Sequence, residues 1–90
     1  MYFVYLLQSK KDFTTYIGST DNLLSRVSKH NKGKVKSTKS KRPYILIYYE
    51  VYRNKTDARK REIELKNNSW EKERLFKKLT NSFVARSSNG

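Results

Sequence analysis

The sequence lacks cysteine, which excludes disulfide bonds and thiolate metal sites, zinc fingers among them. Three glycines and one proline among 90 residues, with 36% hydrophobic and 13% aromatic residues, make the chain too rich in packing residues for a disordered polycation. A small domain without covalent staples must be stabilised by its aromatic and aliphatic side chains. We therefore expect a folded protein with one hydrophobic core.

Long hydrophobic runs are also missing. The longest, residues 2–7 and 44–49, are about six residues long, far below the roughly 20 that span a bilayer. The first residues lack the charged and small-residue features of a secretory signal, so we expect a cytoplasmic protein. Because domains typically take roughly 100–200 residues, we expect a single domain over residues 1–80 and a flexible polar tail over residues 81–90.

Acidic residues are scarce: 21 Lys and Arg against 8 Asp and Glu give 21 − 8 = +13 at neutral pH. A charge of this size favours a polyanionic partner. Seven tyrosines lie among the basic residues and no long amphipathic basic helix is present, so nucleic acid is a better match than a lipid surface. Nothing in the sequence indicates an obligate protein partner.

Two short segments at the start of the chain predict a β-hairpin. Residues 2–7 and 13–18 are rich in aromatic and β-branched residues and are separated by a polar break. Alternation places Tyr5 on one face of the first strand and Tyr16, with Gly18, on one face of the second. The two tyrosines are therefore expected to lie near each other.

From Asp21 the pattern changes to that of a helix ending near Gly33, with Asp21 or Thr20 as its N-cap. Arg26 and His30 are four residues apart and share a helix face beside the apolar stripe. The stripe consists of Leu23, Leu24 and Val27.

A run of basic residues follows this helix. We interpret residues 32–42 as a mobile basic loop that contacts phosphates, although a merely solvated loop has the same composition. Phosphate contacts of this kind supply affinity without sequence information. The expected nucleic-acid contacts are Lys32, Lys34, Lys36, Lys39, Lys41 and Arg42.

The remaining elements are a third strand and two helices. Residues 44–52 form the most apolar segment and lack a helical period, which predicts a central strand. A helix through Lys66, capped by Asn54 or Thr56, and another from Ser69 are expected to follow. The inward positions are Ala58, Glu62 and Leu65 on the first helix and Leu75, Phe76 and Leu79 on the second.

The order of these features resembles the GIY-YIG nuclease superfamily, and most closely its small stand-alone bacterial and archaeal members of the UPF0213 type. The resemblance covers residues 2–79 and departs from the family at Phe3 and Val4, which stand in place of Gly-Ile. The residues that carry it are Phe3-Val4-Tyr5, Tyr16-Ile17-Gly18, Arg26, His30 and Arg61-Glu62.

The resemblance implies an α+β fold, a three-stranded antiparallel sheet flanked by helices, and an active site of two tyrosines, an arginine, a histidine and a glutamate. By position these are Tyr5, Tyr16, Arg26, His30 and Glu62. It further implies that Tyr5 activates water with help from His30, that Arg26 and Tyr16 bind the scissile phosphate, and that Glu62 holds one Mg²⁺ or Mn²⁺. Phosphodiester hydrolysis needs these groups: a base, a cation and a hard metal on a carboxylate.

Several alternatives stay open at the level of sequence. Glu62 could serve only an ion pair with Lys66, and Glu50 is a competing metal ligand that we interpret as structural. Asn67 or Asn68 could hydrogen-bond near the site. The expected function is metal-dependent hydrolysis of nucleic-acid phosphodiester bonds, with DNA favoured over RNA. The alternatives are a nucleic-acid-binding module with the same fold and little or no cleavage, and a structural or ribosome-associated basic protein.

Overall fold

The computed structural model describes residues 1–84. It confirms the expected α+β class, with a three-stranded antiparallel sheet flanked by three helices. In chain order the elements are β1 (Tyr2–Ser9), β2 (Thr15–Thr20), α1 (Leu23–Asn31), β3 (Tyr44–Tyr52), α2 (Lys55–Asn67) and α3 (Ser69–Lys78), with a 3₁₀ turn at Lys39–Lys41 before β3. No helix within residues 1–84 is long and apolar enough to cross a membrane.

The central strand is β1, because the strand order is β2-β1-β3. The sequence prediction of β3 as the central strand is therefore wrong. β1 is buried continuously from Val4 to Ser9, whereas Tyr49 and Val51 of β3 are about half exposed, at 50% and 48%. The apolar run of β3 lacks alternation because the strand carries a bulge: Leu6 pairs with Tyr48 and Leu7 pairs with Leu46, leaving an extra residue between them.

The side chains of β1 alternate between two packed layers. Val4 and Leu6 face α2 and α3, whereas Tyr5 and Leu7 face α1. The first layer also contains Ile17, Ala58, Leu65 and Leu75, and the second contains Tyr44 with the partly buried Tyr16, Leu23, Val27 and Leu46. Leu24, expected in the apolar stripe of α1, is instead 82% exposed.

An asparagine side chain caps each helix. Asn22 accepts from the backbone N–H of Ser25 at 3.1 Å, so neither Asp21 nor Thr20 is the N-cap of α1. Asn54 caps α2, as one of the two predicted candidates, and Asn68 caps α3. The preference follows from the side-chain oxygen, which satisfies an N–H group that has no partner within the helix.

The hairpin turn and residues 83–84 show features that the sequence did not predict. Phe13 adopts a positive φ of 67° in the hairpin turn, so β2 begins at Thr15 rather than at residue 13. In the predicted tail, Phe83 packs on Phe76 and the backbone of Val84 exchanges hydrogen bonds with the Gln8 side chain. Residues 85–90 of that tail lie outside the described residues.

Glu50 lies in an ionic cluster that joins β3 to α2 and α3. The Arg61 guanidinium donates to both Glu50 carboxylate oxygens, at 3.0 and 3.1 Å, and to Glu71 at 3.1 Å. The hydroxyls of Tyr48 and Tyr52 also donate to Glu50, at 2.7 and 2.5 Å. These contacts engage both oxygens of the carboxylate, which supports the structural interpretation of Glu50.

The ring of Tyr5 lies directly over Gly18, its partner across the β1–β2 pair. A Cβ atom at residue 18 would lie 2.4 Å from the Tyr5 hydroxyl oxygen and 2.6 Å from Cζ. Tyr5 is 1% exposed, so its ring has no free space into which to move. Only glycine at position 18 allows Tyr5 its observed place.

We therefore expect Gly18→Ala to lower the free energy of unfolding by about 1–3 kcal/mol, the usual cost of overpacking a close-packed core. Urea denaturation monitored by circular dichroism measures this change. In a Tyr5→Leu background the same Gly18→Ala substitution should cost much less, because the clashing ring is absent. An equal cost in both backgrounds would show that Tyr5 is not the reason for the glycine.

Candidate active site

Three polar side chains form a buried hydrogen-bonded chain between β1, α1 and the segment before β3. The Tyr5 hydroxyl lies 2.9 Å from Nε2 of His30, and Nδ1 of His30 lies 2.8 Å from the hydroxyl of Thr38. His30 and Thr38 are 0% and 1% exposed. His30 therefore acts on its neighbours inside the fold and has no surface of its own to offer a ligand.

Arg26 and Tyr16 complete this cluster on its outer side. Nε of Arg26 donates to the Tyr5 hydroxyl at 3.4 Å, one helical turn before His30. The Tyr16 ring packs edge-on against His30, with 4.9 Å between centroids, and lies 6.3 Å from the ring of Tyr5. Alternation along the strands and the four-residue spacing on α1 thus bring together the four residues expected from the sequence.

Glu62 reaches the same region from α2. Its carboxylate accepts from the Ser19 hydroxyl at 2.6 Å and from Nζ of Lys66 at 2.7 Å. Lys66 also lies over the Tyr16 ring, with Nζ 5.7 Å from the centroid. The intrahelical pair weighed in the sequence is therefore present, and it links Glu62 to the tyrosine cluster.

The environment shifts the proton affinities of these groups. Burial raises the pKa of Tyr5 to about 12, although the hydrogen bond from Arg26 opposes the shift. Burial and the nearby Arg26 charge lower the pKa of His30 to about 4. Burial raises the pKa of Glu62, but the hydrogen bonds from Lys66 and Ser19 outweigh burial and leave the pKa below its usual value. At neutral pH the cluster thus holds a neutral phenol, a neutral imidazole and a carboxylate.

Beside the cluster is a cleft of about 400 Å³ between α1, the end of β2 and the start of α2. Four cationic side chains line it, and the sequence analysis singled out only Arg26 among them. Helical spacing could have identified two others, because Lys29 is three residues from Arg26 and Arg59 is three residues from Glu62. The lining residues are Tyr2, Ser19, Thr20, Asp21, Arg26, Lys29, Lys55, Ala58 and Arg59.

The basic segment 32–42 lies against the hairpin and carries a second, more open cleft. The sequence predicted a mobile loop here, and that prediction is wrong. The segment is held against the domain because Thr38 is buried. Lys41 forms a salt bridge with Asp12 at 3.4 Å, and the Ser9 hydroxyl donates to the Lys41 carbonyl. The second cleft is lined by Lys11, Lys36, Lys39, Ser40 and Arg42, while Lys32 and Lys34 are exposed elsewhere on the segment.

The other polar candidates have structural places. Glu50 belongs to the Arg61 cluster, and Asn68 caps α3 by accepting from the N–H of Glu71 at 3.2 Å. Asn67 is exposed at the end of α2. Among residues 1–84 no three His, Cys, Asp or Glu side chains form a group that could enclose a metal ion. A metal at this site would depend on Glu62 with oxygen ligands from outside the protein.

The burial of His30 predicts that the stability of the fold depends on pH. Because its folded pKa of about 4 lies below the ordinary 6.5, the unfolded chain binds more protons between these values. The His30 contribution to stability should be complete above about pH 6.5 and be lost as the pH falls towards 4. His30 is the sole histidine, so NMR titration of one imidazole reports its pKa directly. A midpoint near 6.5 in the folded protein would contradict this burial.

Comparison with known proteins agrees with the geometry. The model of the GIY-YIG catalytic domain matches residues 1–84. The chain is 41% identical over 66 residues to a UPF0213 protein of Staphylococcus haemolyticus, covering 72% of this chain and 79% of that protein. It is likewise 41% identical over 78 residues to a UPF0213 protein of Staphylococcus aureus, covering 84% and 94%.

A solved structure gives the same result for the fold. The solution NMR structure of a UPF0213 protein from Bacillus halodurans superposes with a TM-score of 0.54 at 32% identity, covering 88% of this chain and 85% of that one. The family model matches all of the described residues, and both the similar sequences and the similar solved structure are UPF0213 proteins. The chain therefore belongs to the GIY-YIG catalytic domain family.

Proposed function

We propose that the protein is a cytoplasmic, metal-dependent endonuclease that hydrolyses phosphodiester bonds of nucleic acid, with DNA as its substrate. The observation that carries the proposal is the position of Arg26, which lines the cationic cleft and donates to the Tyr5 hydroxyl behind it. The guanidinium is placed to exchange a neutral phenol for a phosphate oxygen, which is the stronger acceptor. When phosphate binds, the Tyr5 hydroxyl loses its hydrogen bond with Arg26 and becomes free to contact water.

In the proposed reaction Tyr5 gives its proton to Nε2 of His30, and the phenolate oxygen takes a proton from water. The water oxygen attacks phosphorus, the bond from phosphorus to the leaving oxygen breaks, and that oxygen receives a proton from solvent. His30 then returns its proton to solvent by way of the Tyr5 hydroxyl, which restores the neutral pair. The Arg26 charge disfavours an imidazolium in the free protein. A bound phosphate offsets that charge and so raises the proton affinity of His30, while it also weakens the support that Arg26 gives to a Tyr5 phenolate. Arg26 and the Tyr16 hydroxyl hold the phosphate.

Glu62 is the residue that would hold a divalent metal. Mg²⁺ commonly binds one or two carboxylates and completes its shell with water and substrate phosphate oxygens, and one carboxylate beside a cationic cleft fits that pattern. Lys66 occupies one Glu62 oxygen, but its side chain is 43% exposed and can turn into solvent. When bound, Mg²⁺ or Mn²⁺ would stabilise negative charge on the phosphate and lower the pKa of water.

The second candidate function is binding without cleavage. Both Glu62 oxygens already accept hydrogen bonds, from Ser19 and Lys66, so the region is electrostatically complete without a metal. In that case the clefts would bind the phosphate backbone and Glu62 would only anchor α2 to β2. A metal-dependent reaction separates the two functions.

Glu62→Gln tests the proposal directly, because it keeps the shape and the Ser19 contact but removes the charge that a hard cation needs. We expect the variant to lose Mn²⁺ binding in calorimetric titration and to lose cleavage of labelled DNA by at least about 100-fold, a scale typical of catalytic groups. Duplex, single-stranded and branched DNA, with matched RNA, serve as substrates. Binding to DNA should persist, because a negative charge has left a cationic surface.

The matched control is Glu73→Gln, which makes the same charge change at an exposed residue of α3. It should leave cleavage at the wild-type level. Wild-type cleavage in Glu62→Gln would overturn the metal assignment. DNA binding with no metal-dependent cleavage by the wild-type protein would favour the binding module.

Lys55 and Arg59, two cations of the first cleft that the sequence analysis did not single out, should contribute to binding of the strand. We expect the Lys55→Ala/Arg59→Ala pair to weaken DNA binding and to reduce the slope of log K against log salt by up to about 1.8, since each phosphate contact contributes about 0.9. The control pair Lys60→Ala/Lys77→Ala removes the same charge from exposed positions of α2 and α3. Fluorescence anisotropy across a salt series measures both. Equal slopes for the two pairs would show that the cleft does not hold the backbone.

A further inference from the structure

Thr38 is a buried hydroxyl that neither the sequence motifs nor the reaction above uses. We propose that Thr38 is a positioning residue: it holds the proton of His30 on Nδ1, so that Nε2 faces Tyr5 as a hydrogen-bond acceptor. The assignment of the tautomer follows from contacts alone. Its consequence for catalysis depends on the proposed nuclease function.

The contacts of Tyr5 indicate which atoms donate and which accept in the Tyr5–His30–Thr38 hydrogen bonds. The hydroxyl oxygen of Tyr5 contacts Arg26 and His30 within residues 1–84. A guanidinium has only N–H groups and can only donate, so the phenol accepts from Arg26. Since the phenol is buried, its own proton is left to His30. The Tyr5 end therefore favours a lone pair on Nε2, and the Thr38 oxygen supplies the acceptor without which a proton on Nδ1 would be unpaired.

A neutral imidazole has one N–H, which then belongs to Nδ1. The lowered pKa of His30 agrees with a neutral ring. Nδ1–H donates to the Thr38 oxygen at 2.8 Å. The hydroxyl proton of Thr38 in turn points to the Val35 carbonyl at 3.4 Å. The same carbonyl also accepts from the backbone N–H groups of Thr38 and Lys39, at 3.1 and 3.0 Å.

The opposite polarity does not satisfy the same groups. If Nε2 carried the proton, it would donate to Tyr5, and the phenolic proton would have no acceptor among the contacts of Tyr5 in residues 1–84. A buried hydroxyl that makes no hydrogen bond is disfavoured, because it has lost its contacts with water and gained none in the protein. In the first polarity each of the three protons of the chain has an acceptor: Nε2 for Tyr5, the Thr38 oxygen for Nδ1–H, and the Val35 carbonyl for Thr38.

The position of Thr38 depends on the segment between α1 and β3. The Lys11 ammonium donates to the Ser40 carbonyl at 3.1 Å, and Lys41 pairs with Asp12. The Ser9 hydroxyl also donates to the Lys41 carbonyl, so three contacts join the hairpin to the 3₁₀ turn that follows Thr38. The segment thus has a role at His30 in addition to its positive charge.

Two substitutions separate the hydroxyl from the shape of the side chain. Thr38→Val keeps the branched shape and removes the hydroxyl, whereas Thr38→Ser keeps the hydroxyl and removes a methyl group. Long-range ¹H–¹⁵N spectra of the labelled full-length protein resolve one imidazole, since His30 is the sole histidine. We expect a protonated Nδ1 and an unprotonated Nε2 in the wild type and in Thr38→Ser, and a shift towards protonated Nε2 in Thr38→Val.

Cleavage kinetics give the second readout. We expect Thr38→Val to lower kcat about 10-fold or more, part of the roughly 10²- to 10⁴-fold that a positioned proton acceptor supplies, with KM within about 2-fold. Thr38→Ser should recover kcat to within about 3-fold of wild type. Circular dichroism melts establish that each variant is folded.

A protonated Nε2 in the wild type overturns the assignment, and this measurement requires no variant to fold. An unchanged tautomer in folded Thr38→Val also overturns it, even if kcat falls. The expected tautomers together with absence of cleavage in every protein would support the role of Thr38 and count against the nuclease function. The two proposals can therefore fail separately.

Discussion

The fold depends on a phenol placed in the middle of its central strand. Tyr5 is buried on β1, fits only because residue 18 is glycine, and satisfies its hydroxyl through His30 and Arg26. The contact of Tyr5 with Gly18 lies between β1 and β2, and its contacts with His30 and Arg26 join β1 to α1. Together they place a proton donor next to the cationic cleft. A buried polar group is costly unless it is fully hydrogen-bonded. The packing of the core and the arrangement of the site therefore both depend on the hydrogen bonds of the Tyr5 hydroxyl.

The polar contacts on the two faces of the sheet have different roles. On the side of α2 and α3, Arg61 joins three carboxylates, among them Glu50, and holds both helices to β3. On the side of α1, the polar chain runs through neutral groups. The salt bridges within residues 1–84 do not include the four cations of the first cleft. Glu50, Glu64 and Glu71 thus stabilise the helical layer through Arg61, while the four cations of the first cleft stay available to an anion.

Local patterns predicted the elements and much of the candidate site. Period-two alternation placed Tyr5 and Tyr16 on one face, and four-residue spacing placed Arg26 beside His30. The sequence did not reveal contacts between distant segments. Thr38 looked like part of a mobile basic loop that contacts phosphates, because its burial depends on contacts of residues 38–41 with the hairpin. Strand order was missed for the same reason: apolar content indicates burial but does not show which strand has two neighbours.

The bulge opposite Leu6 and Leu7 divides β3 into two functional halves. Before it, Tyr44 and Leu46 pack in the layer of α1; after it, Tyr48 and Glu50 lie with α2 and α3. One additional residue thus changes which face the even-numbered positions occupy. A chain that lacked Ile47, the additional residue, would keep its net charge, yet Glu50 would turn to the other face of the sheet and lose its contacts with Arg61. Tolerance of this strand to insertion and deletion is therefore set by the parity of its length rather than by its hydrophobicity.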